Sequence, residues 1–395
     1  MLTGPALCRF RKKLLSWFAE FQRDLPWRRT KGPYRIWLSE IMLQQTRVAA
    51  AIPYYERFLQ RFPDVEALAE APEEEVLRHW AGLGYYSRAR NLQKAARQIV
   101  AEHHSKFPDD RKKALALAGI GTYTAAAILS IAYKKNLAVL DGNVARVLAR
   151  LGAVRGDLRT GNRWQQLQKD ADALLAPKAP GDWNQAMMEL GATICTPRSP
   201  QCLLCPVAEF CEARKLGLAE ELPEKRSKRA TVEITLAALV LVDPHGRTLL
   251  LPPPKSAGAS EMGTTDDVAV LLSRMWHFPT VQVREDPVRE LRAFSKRSIF
   301  GGSKAPANLE AMPPARHAVT YRQITLLPFR AKVASLPRVP NAKALSLDDL
   351  SEVPISNLTR KIAHSAMKEK LRLSTGPGLP GASTSLVQWP NFRPA

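Results

Sequence analysis

Two carboxylates stand out for what surrounds them. Glu40 lies in WLSEIMLQQT, flanked by Trp37, Leu38, Ile41, Met42 and Leu43. A lone glutamate in so apolar a helix either points to solvent or is buried for a purpose. Burial would raise its pKa by desolvation and keep it protonated near neutrality. Asp141 lies in AVLDGNVARVLARLG, just before Val144, Val147, Leu148 and Leu151, whose spacing marks one buried helix face. Taken alone, an Asp in that place is an ordinary helix N-cap. Taken together, a protonated Glu and an ionised Asp meet the needs of N-glycosidic hydrolysis. One acid protonates the departing base, and the other carboxylate stabilises the oxocarbenium-like sugar.

The segment LAGIGTYTAAAILS precedes Asp141 by about twenty residues. Gly119 and Gly121 allow a tight turn between two helices. The helix from Thr122 then offers free N–H groups and the positive end of its dipole to an anion such as phosphate. Alone this is a weak signal, since most such turns only connect helices. The stretch GLGYYSRARNL adds Leu83 and Tyr85 on a glycine-flanked turn, as wedges that could enter a base stack, with Arg88 and Arg90 available for phosphates. One of Tyr85 and Tyr86 is expected to pack between helices instead. Reaching a glycosidic bond in a duplex requires the base to leave the stack for a pocket.

Charge agrees with a polyanionic partner. The 395 residues carry 58 Lys+Arg against 37 Asp+Glu, a net +21. Cations that neutralise phosphates release counterions, although a ribosomal or membrane-surface protein could share the composition. The longest apolar run, Ile234 to Val242, is shorter than the roughly 18 to 20 residues that cross a bilayer. The N-terminus lacks secretory-signal features and enters an amphipathic helix, so a cytoplasmic chain with no membrane association is expected.

Four of the five cysteines, Cys195, Cys202, Cys205 and Cys211, form C-x6-C-x2-C-x5-C. Such clustering indicates a bound metal rather than a disulfide framework. Four thiolates hold either a tetrahedral zinc or a [4Fe-4S] cluster. The wide spacing favours the cluster, and zinc stays open on spacing alone.

Helical periodicity with short breakers, Pro53, Pro63, Pro72, Pro108 and Gly119 among them, runs through the first half. This half reads as an all-α domain over residues 1–222, with a metal loop at 195–211. A basic linker is expected at 223–231, where PEKRSKRA breaks the pattern. Beyond it an α+β domain is expected over 232–373. There VEITLAALVLV, the turn DPHG and TLLL read as a β-hairpin, VQVRE and TLLPFRAKV as further strands, and Leu358 to Leu373 as a helix. The Gly-, Pro- and Ser-rich end, residues 374–395, is expected to be disordered.

Together PWRR, PYRIWLSEIMLQQT, GLGYYSRARNL, LAGIGTYTAAAI, LDGNVARVLAR, NQAMMELGATIC and the cysteine spacing resemble the adenine DNA glycosylases of the MutY type. The resemblance covers most of Leu25 to Cys211 and continues more weakly through the second domain. It implies a multi-domain chain: a helix-hairpin-helix glycosylase domain carrying one [4Fe-4S] cluster, then a Nudix-like domain that reads 8-oxoguanine. The implied substrate is duplex DNA in which adenine is mispaired with 8-oxoguanine or guanine, and the implied enzyme is a monomeric, nucleoid-associated actor in base excision repair. By position, Glu40 matches the acid that protonates adenine, and Asp141 the residue that stabilises the sugar cation, with Asn143 beside it. Gln45 and Tyr85, assisted by Leu83, match residues that fill space around the oxidised guanine. Arg28, Gln44 and Gln185 match positions near the flipped adenine. The second domain lacks the glutamate-rich Nudix hydrolase motif, so no pyrophosphatase activity is expected.

Two departures from the family pattern stand out. The hairpin reads Leu117-Ala118-Gly119 where Leu-Pro-Gly is common, and the recognition loop reads Val319-Thr320-Tyr321 where Phe-Ser-His is common. Three other readings compete. A bifunctional glycosylase and lyase resembling endonuclease III needs an amine for its Schiff base, and such relatives carry lysine where this chain has Tyr123. A thymine mismatch glycosylase carries tyrosine there, but is not expected to have the second domain. A non-catalytic iron-sulfur DNA-binding protein would have no use for Glu40 and Asp141 together.

Overall fold

The computed structural model describes residues 2–224, 230–253, 275–302, 305–319, 321–350 and 352–374. Most of the basic linker, Thr320 of the recognition loop and the tail 375–395 lie outside these residues. The chain divides into two units, Met1–Ala230 and Thr231–Ala395.

The first unit is helical: α1 (Gly4–Phe21), α2 (Pro33–Leu43), α3 (Val48–Arg61), α4 (Val65–Glu70), α5 (Glu73–Trp80), α6 (Ser87–His103), α7 (Arg111–Ala116), α8 (Thr122–Tyr133), α9 (Gly142–Leu151), α10 (Gly161–Leu174), α11 (Pro180–Thr193) and α12 (Glu212–Lys215). Pro53, expected to break a helix, instead lies inside α3. There it removes a single N–H donor near the helix start, a loss that the buried residues Ala51, Tyr55 and Phe58 offset.

Two hydrophobic cores build this unit. One gathers Trp37, Phe58, Phe62 and Trp80 from α2, α3, α5 and the intervening turn. The other gathers Phe10, Leu148, Trp183 and Phe210 from α1, α9, α11 and the segment after it. Helix α8 belongs to both: Ala125, Ile128 and Leu129 face the first core, Ala126 and Ala127 the second. Its sequence TYTAAAILSIAY suits that place, because a helix buried nearly all round must be apolar and its alanines let neighbours approach. Helices α2 and α11 pack against α8, α2 on the side of the first core and α11 on that of the second, and α9 packs in turn on α11.

The second unit is α+β. Strand β1 (Val232–Val242) runs parallel to β6 (Arg322–Lys332) and antiparallel to β3 (Thr280–Gln282). Strands β4 (Glu310–Ala311) and β5 (Ala315–Val319) both pair with β6. Successive residues of β1 enter opposite cores. Ile234, Leu236, Ala238 and Val240 face α14 (Asn357–Ser374), while Ala237, Leu239 and Leu241 share a core with Leu291 of α13 (Pro287–Ser298). That two-sided burial explains the unbroken apolar run.

The expected β1–β2 hairpin is not formed. The DPHG turn is present, with Gly246 at φ +74, but β2 (Arg247–Leu250) pairs antiparallel with β7 (Lys343–Ser346). Asp243 N still donates to Arg247 O at 3.1 Å across the turn, but beyond that bond β2 takes its ladder from β7. Among the described residues no helix is long and apolar enough to cross a membrane.

Candidate active site

Glu40 stands in the last turn of α2 and is buried, 7% exposed. Tyr123, on the first turn of α8, donates its hydroxyl to Glu40 Oε2 at 2.7 Å and lies 3.2 Å from Met188 Sδ. Burial drives the Glu40 carboxyl up to about 7, against the opposing pull of the Tyr123 bond; Asp141 adds to the rise and Arg28 subtracts from it. A carboxyl poised near neutrality is what a general acid requires. Burial, then the neighbouring carboxylates, hold the Tyr123 phenol far above its ordinary value, so it acts as a neutral donor.

Asp141 is both cap and site residue. Its Oδ1 accepts from Val144 N at 2.7 Å, the N-cap expected from sequence, while Oδ2 accepts from Asn143 Nδ2 at 3.2 Å. Burial raises its pKa, and the backbone bonds from Val144 and Asn143 oppose that rise, with Arg146 acting in the same sense. Asn143 is itself oriented by Arg146, whose Nη2 donates to Asn143 Oδ1 at 2.9 Å and to Gly191 O at 2.6 Å. Helix α11 comes so near this point that a Cβ on Gly191 would sit 2.8 Å from Asn143 Cβ.

Glu40, Asp141, Tyr123, Asn143, Arg28, Gln44, Gln45 and Gln185 all line one cavity of about 500 Å³ at the seam between the two cores. Sequence reasoning missed its third carboxylate, Glu189. Arg23 forks onto both its oxygens at 2.7 Å and Arg28 Nη2 meets Oε2 at 2.7 Å. Burial alone would raise the Glu189 carboxyl, but the bonds from Arg23 and Arg28 bring it down to about 2. The signal was present in NQAMMELGATIC: an acid within an apolar helix, as at Glu40. Two carboxyls in one cavity are thus set apart, one near 7 because burial prevails and one near 2 because two arginines overcome burial.

Gln44, Gln45, Tyr85 and Gly119 line a second cavity of about 250 Å³. Tyr85 is 42% exposed, whereas the half-buried Tyr86 packs against the first core, so one tyrosine of the pair packs against the helices as expected. Leu83 is buried. Arg88 and Arg90 do not stand free for phosphates. Arg88 is buried on backbone carbonyls, and Arg90 Nε pairs with Glu73 at 2.7 Å. The hairpin glycines differ in what they require. Gly119 has φ +76, and a Cβ there would lie 2.7 Å from Asn91 Cβ. Gly121 has ordinary φ −94 as the N-cap of α8, with open space where a Cβ would go. In the second unit Tyr321 follows β5, with the Arg322 guanidinium 4.8 Å from its ring centroid.

Cys195, Cys202, Cys205 and Cys211 line one further cavity, joined there by Arg150. Arg150 donates from Nη1 to Cys195 Sγ at 3.3 Å and to Thr196 O at 2.7 Å; its buried Nη2 has no partner. A cation with a spare N–H beside four sulfurs suits a thiolate-ligated, negatively charged group. The four cysteines around this one cavity, with that cation beside them, fit a thiolate-held cluster. The four cysteines would hold it, and it would tie the loop to α9 through Arg146 and Arg150, which also reach Cys195 O and Leu222 O.

Residues 38–171 match the HhH-GPD superfamily of base excision DNA repair proteins. Residues 195–211 match the iron-sulfur binding domain of endonuclease III, and the chain accordingly carries one [4Fe-4S] cluster. A thermostable thymine-DNA glycosylase superposes with a TM-score of 0.50 at 29% identity, covering 53% of this chain and 97% of its own. The adenine DNA glycosylase of Schizosaccharomyces pombe is 39% identical over 225 residues, 52% of this chain and 49% of that protein. The human adenine DNA glycosylase is 34% identical over 400 residues, spanning 89% of this chain and 73% of that protein. At that identity and reach, with both carboxylates in one cavity behind the glycine hairpin, the chain belongs to the adenine DNA glycosylase family.

Proposed function

We propose that this enzyme hydrolyses the N-glycosidic bond of adenine mispaired with 8-oxoguanine, or with guanine, in duplex DNA and leaves the strand intact. Membership of the adenine DNA glycosylase family makes it a base excision repair enzyme acting on DNA; the mispair and the monofunctional outcome are the finer reading. The observation that carries it is the Tyr123–Glu40 hydrogen bond inside the cavity. A lyase would need an amine there, and among the described residues lining the cavity there is no lysine.

In this reading the flipped adenine enters between Arg28, Gln44 and Gln185. Glu40, still protonated near neutrality, gives its proton to the base. Asp141, oriented by Asn143, faces the positive charge that develops on the sugar, and a water completes the hydrolysis. Gln45 and Tyr85, backed by Leu83, fill the space around the opposite guanine, and Gly119 and Gly121 meet the phosphates. Thr320 and Tyr321 of the recognition loop read the opposite base. The enzyme acts as a monomer.

Single-turnover release of base from A:8-oxoguanine, A:G, T:G and A:T duplexes, with and without alkali, tests this directly. Adenine release from the first two, with strand breaks only after alkali, is expected. Breakage without alkali, or a preference for T:G, would refute it.

A further inference from the structure

Arg88 is a buried cation that the chemistry above leaves without a task. Its two terminal nitrogens divide their bonds between two loops. Nη1 donates to Ile41 O and Met42 O at 2.9 Å and to Gln44 O at 2.5 Å, carbonyls at the end of α2. Nη2 donates to Leu83 O at 3.2 Å, Gly84 O at 3.1 Å and Thr46 Oγ1 at 3.3 Å. The first set belongs to the helix that carries Glu40; Leu83 and Gly84 belong to the turn that presents Tyr85.

Helix ends leave carbonyls without intrahelical partners, and a guanidinium there also complements the negative end of the dipole. The site goes further than a cap, because the same plane bonds a second segment more than forty residues away in sequence. It is also held on its flat faces: the Trp80 ring centroid lies 5.4 Å from Arg88 Cζ and that of Tyr85 5.6 Å. The two residues expected to fill the space around the opposite guanine, Gln45 and Tyr85, have left-handed backbones, φ +57 and φ +47. Non-glycine residues stay in that region only where their surroundings over-determine it. The six bonds of Arg88 supply that constraint on both sides at once.

We propose that Arg88 is a positioning residue that locks Gln45 and Tyr85 into one rigid wedge and ties the wedge to the acid-bearing helix, so that the fit of the opposite base governs adenine removal. The inference rests on the proposed function, since it assigns the wedge to the opposite base. Lysine cannot replace the fork, because its single ammonium cannot bond both loops in a fixed plane.

The test uses the full chain with its cluster and compares Arg88→Met and Arg88→Lys with the native protein. Adenine release from A:8-oxoguanine should fall about tenfold or more, the scale of a small misplacement at a reacting centre. The A:8-oxoguanine to A:G rate ratio should narrow, while helical circular dichroism, visible absorbance and affinity for an A:T duplex stay native. A 2-aminopurine placed beside the mispair should brighten when the native chain opens the stack and stay dim with both variants. An unchanged rate ratio, equal losses on all duplexes, or native brightening in the variants would overturn the proposal. If Arg88→Met does not fold, the same readouts on Arg88→Lys decide. A native chain that binds and brightens the probe but releases no adenine would instead refute the function, leaving the clamp standing on the fluorescence.

Discussion

Tyr123→Phe isolates the hydrogen bond on which the acid assignment turns. In the native chain the phenol donates to Glu40 Oε2 at 2.7 Å and favours the ionised carboxylate, holding the carboxyl at about 7 against a larger rise from burial. A bond to a charged acceptor contributes about 1.5 to 3 kcal/mol and one to a neutral partner about 1 kcal/mol. Removing the phenol therefore penalises the ionised form by about 0.5 to 2 kcal/mol more than the protonated one. At about 1.4 kcal/mol per pH unit, that moves the Glu40 titration up by roughly one unit. Because the acid must be protonated to act, the alkaline limb of the single-turnover rate should move from near 7 to near 8. The assay is adenine release from an A:8-oxoguanine duplex with enzyme in excess, between about pH 5 and 9. A limb that stays in place, or moves to lower pH, would refute the assignment of Glu40 as the proton donor.

Glu40→Gln should abolish base removal while duplex binding persists. It should also relieve a cost: a carboxyl raised from 4.5 to about 7 stabilises fully below 4.5 and loses about 3 kcal/mol as pH rises through 7. Thermal melts at alkaline pH should therefore show the variant more stable than the native chain, and an equal or lower melting temperature would contradict the burial argument. The purified protein should be brown with about four irons per chain, by metal analysis, and Cys202→Ser should lose the colour; a colourless protein with one zinc would count against the cluster. Gly119→Ala and Gly121→Ala should separate fold from binding. The first meets Asn91 and takes a strained φ, costing about 1 to 3 kcal/mol. The second has room and should melt like the native chain, yet bind duplex more weakly because its Cβ enters the phosphate site.

The residues most legible in sequence were those whose surroundings contradict their chemistry. Glu40 could be read because an acid among Trp37, Leu38, Ile41 and Met42 has no ordinary place there, and the structure buries it. Glu189 offers the same signal in the same kind of helix, but its two arginine partners, Arg23 and Arg28, come from a segment 161 to 166 residues away. Arg88 was misread for a different reason. GLGYYSRARNL is polar enough to suggest a surface loop, and sequence does not show that the end of α2 would leave carbonyls facing this arginine. The β2 pairing is hidden in the same way, since only the assembled sheet reveals that the distant β7 supplies its ladder. What sequence lacks in each case is the neighbour from a distant segment.

Those distant neighbours are also what make the site. Glu40 belongs to the helices of the first core, Asp141 and Glu189 to those of the second, and α8 is the element common to both. A cavity between separately packed cores can be lined by polar groups without opening a void in either, which close packing within one core would not permit. Tyr123, on the first turn of the shared helix, reaches across that seam to Glu40 while α8 itself begins at the glycine hairpin. The placement that would let backbone N–H groups face a phosphate in the proposed reading thus also sets the phenol against the acid. A shift of α8 by a fraction of a turn would disturb anion binding and proton donation together, so variants that loosen its packing should lose DNA affinity and the Glu40 titration in step.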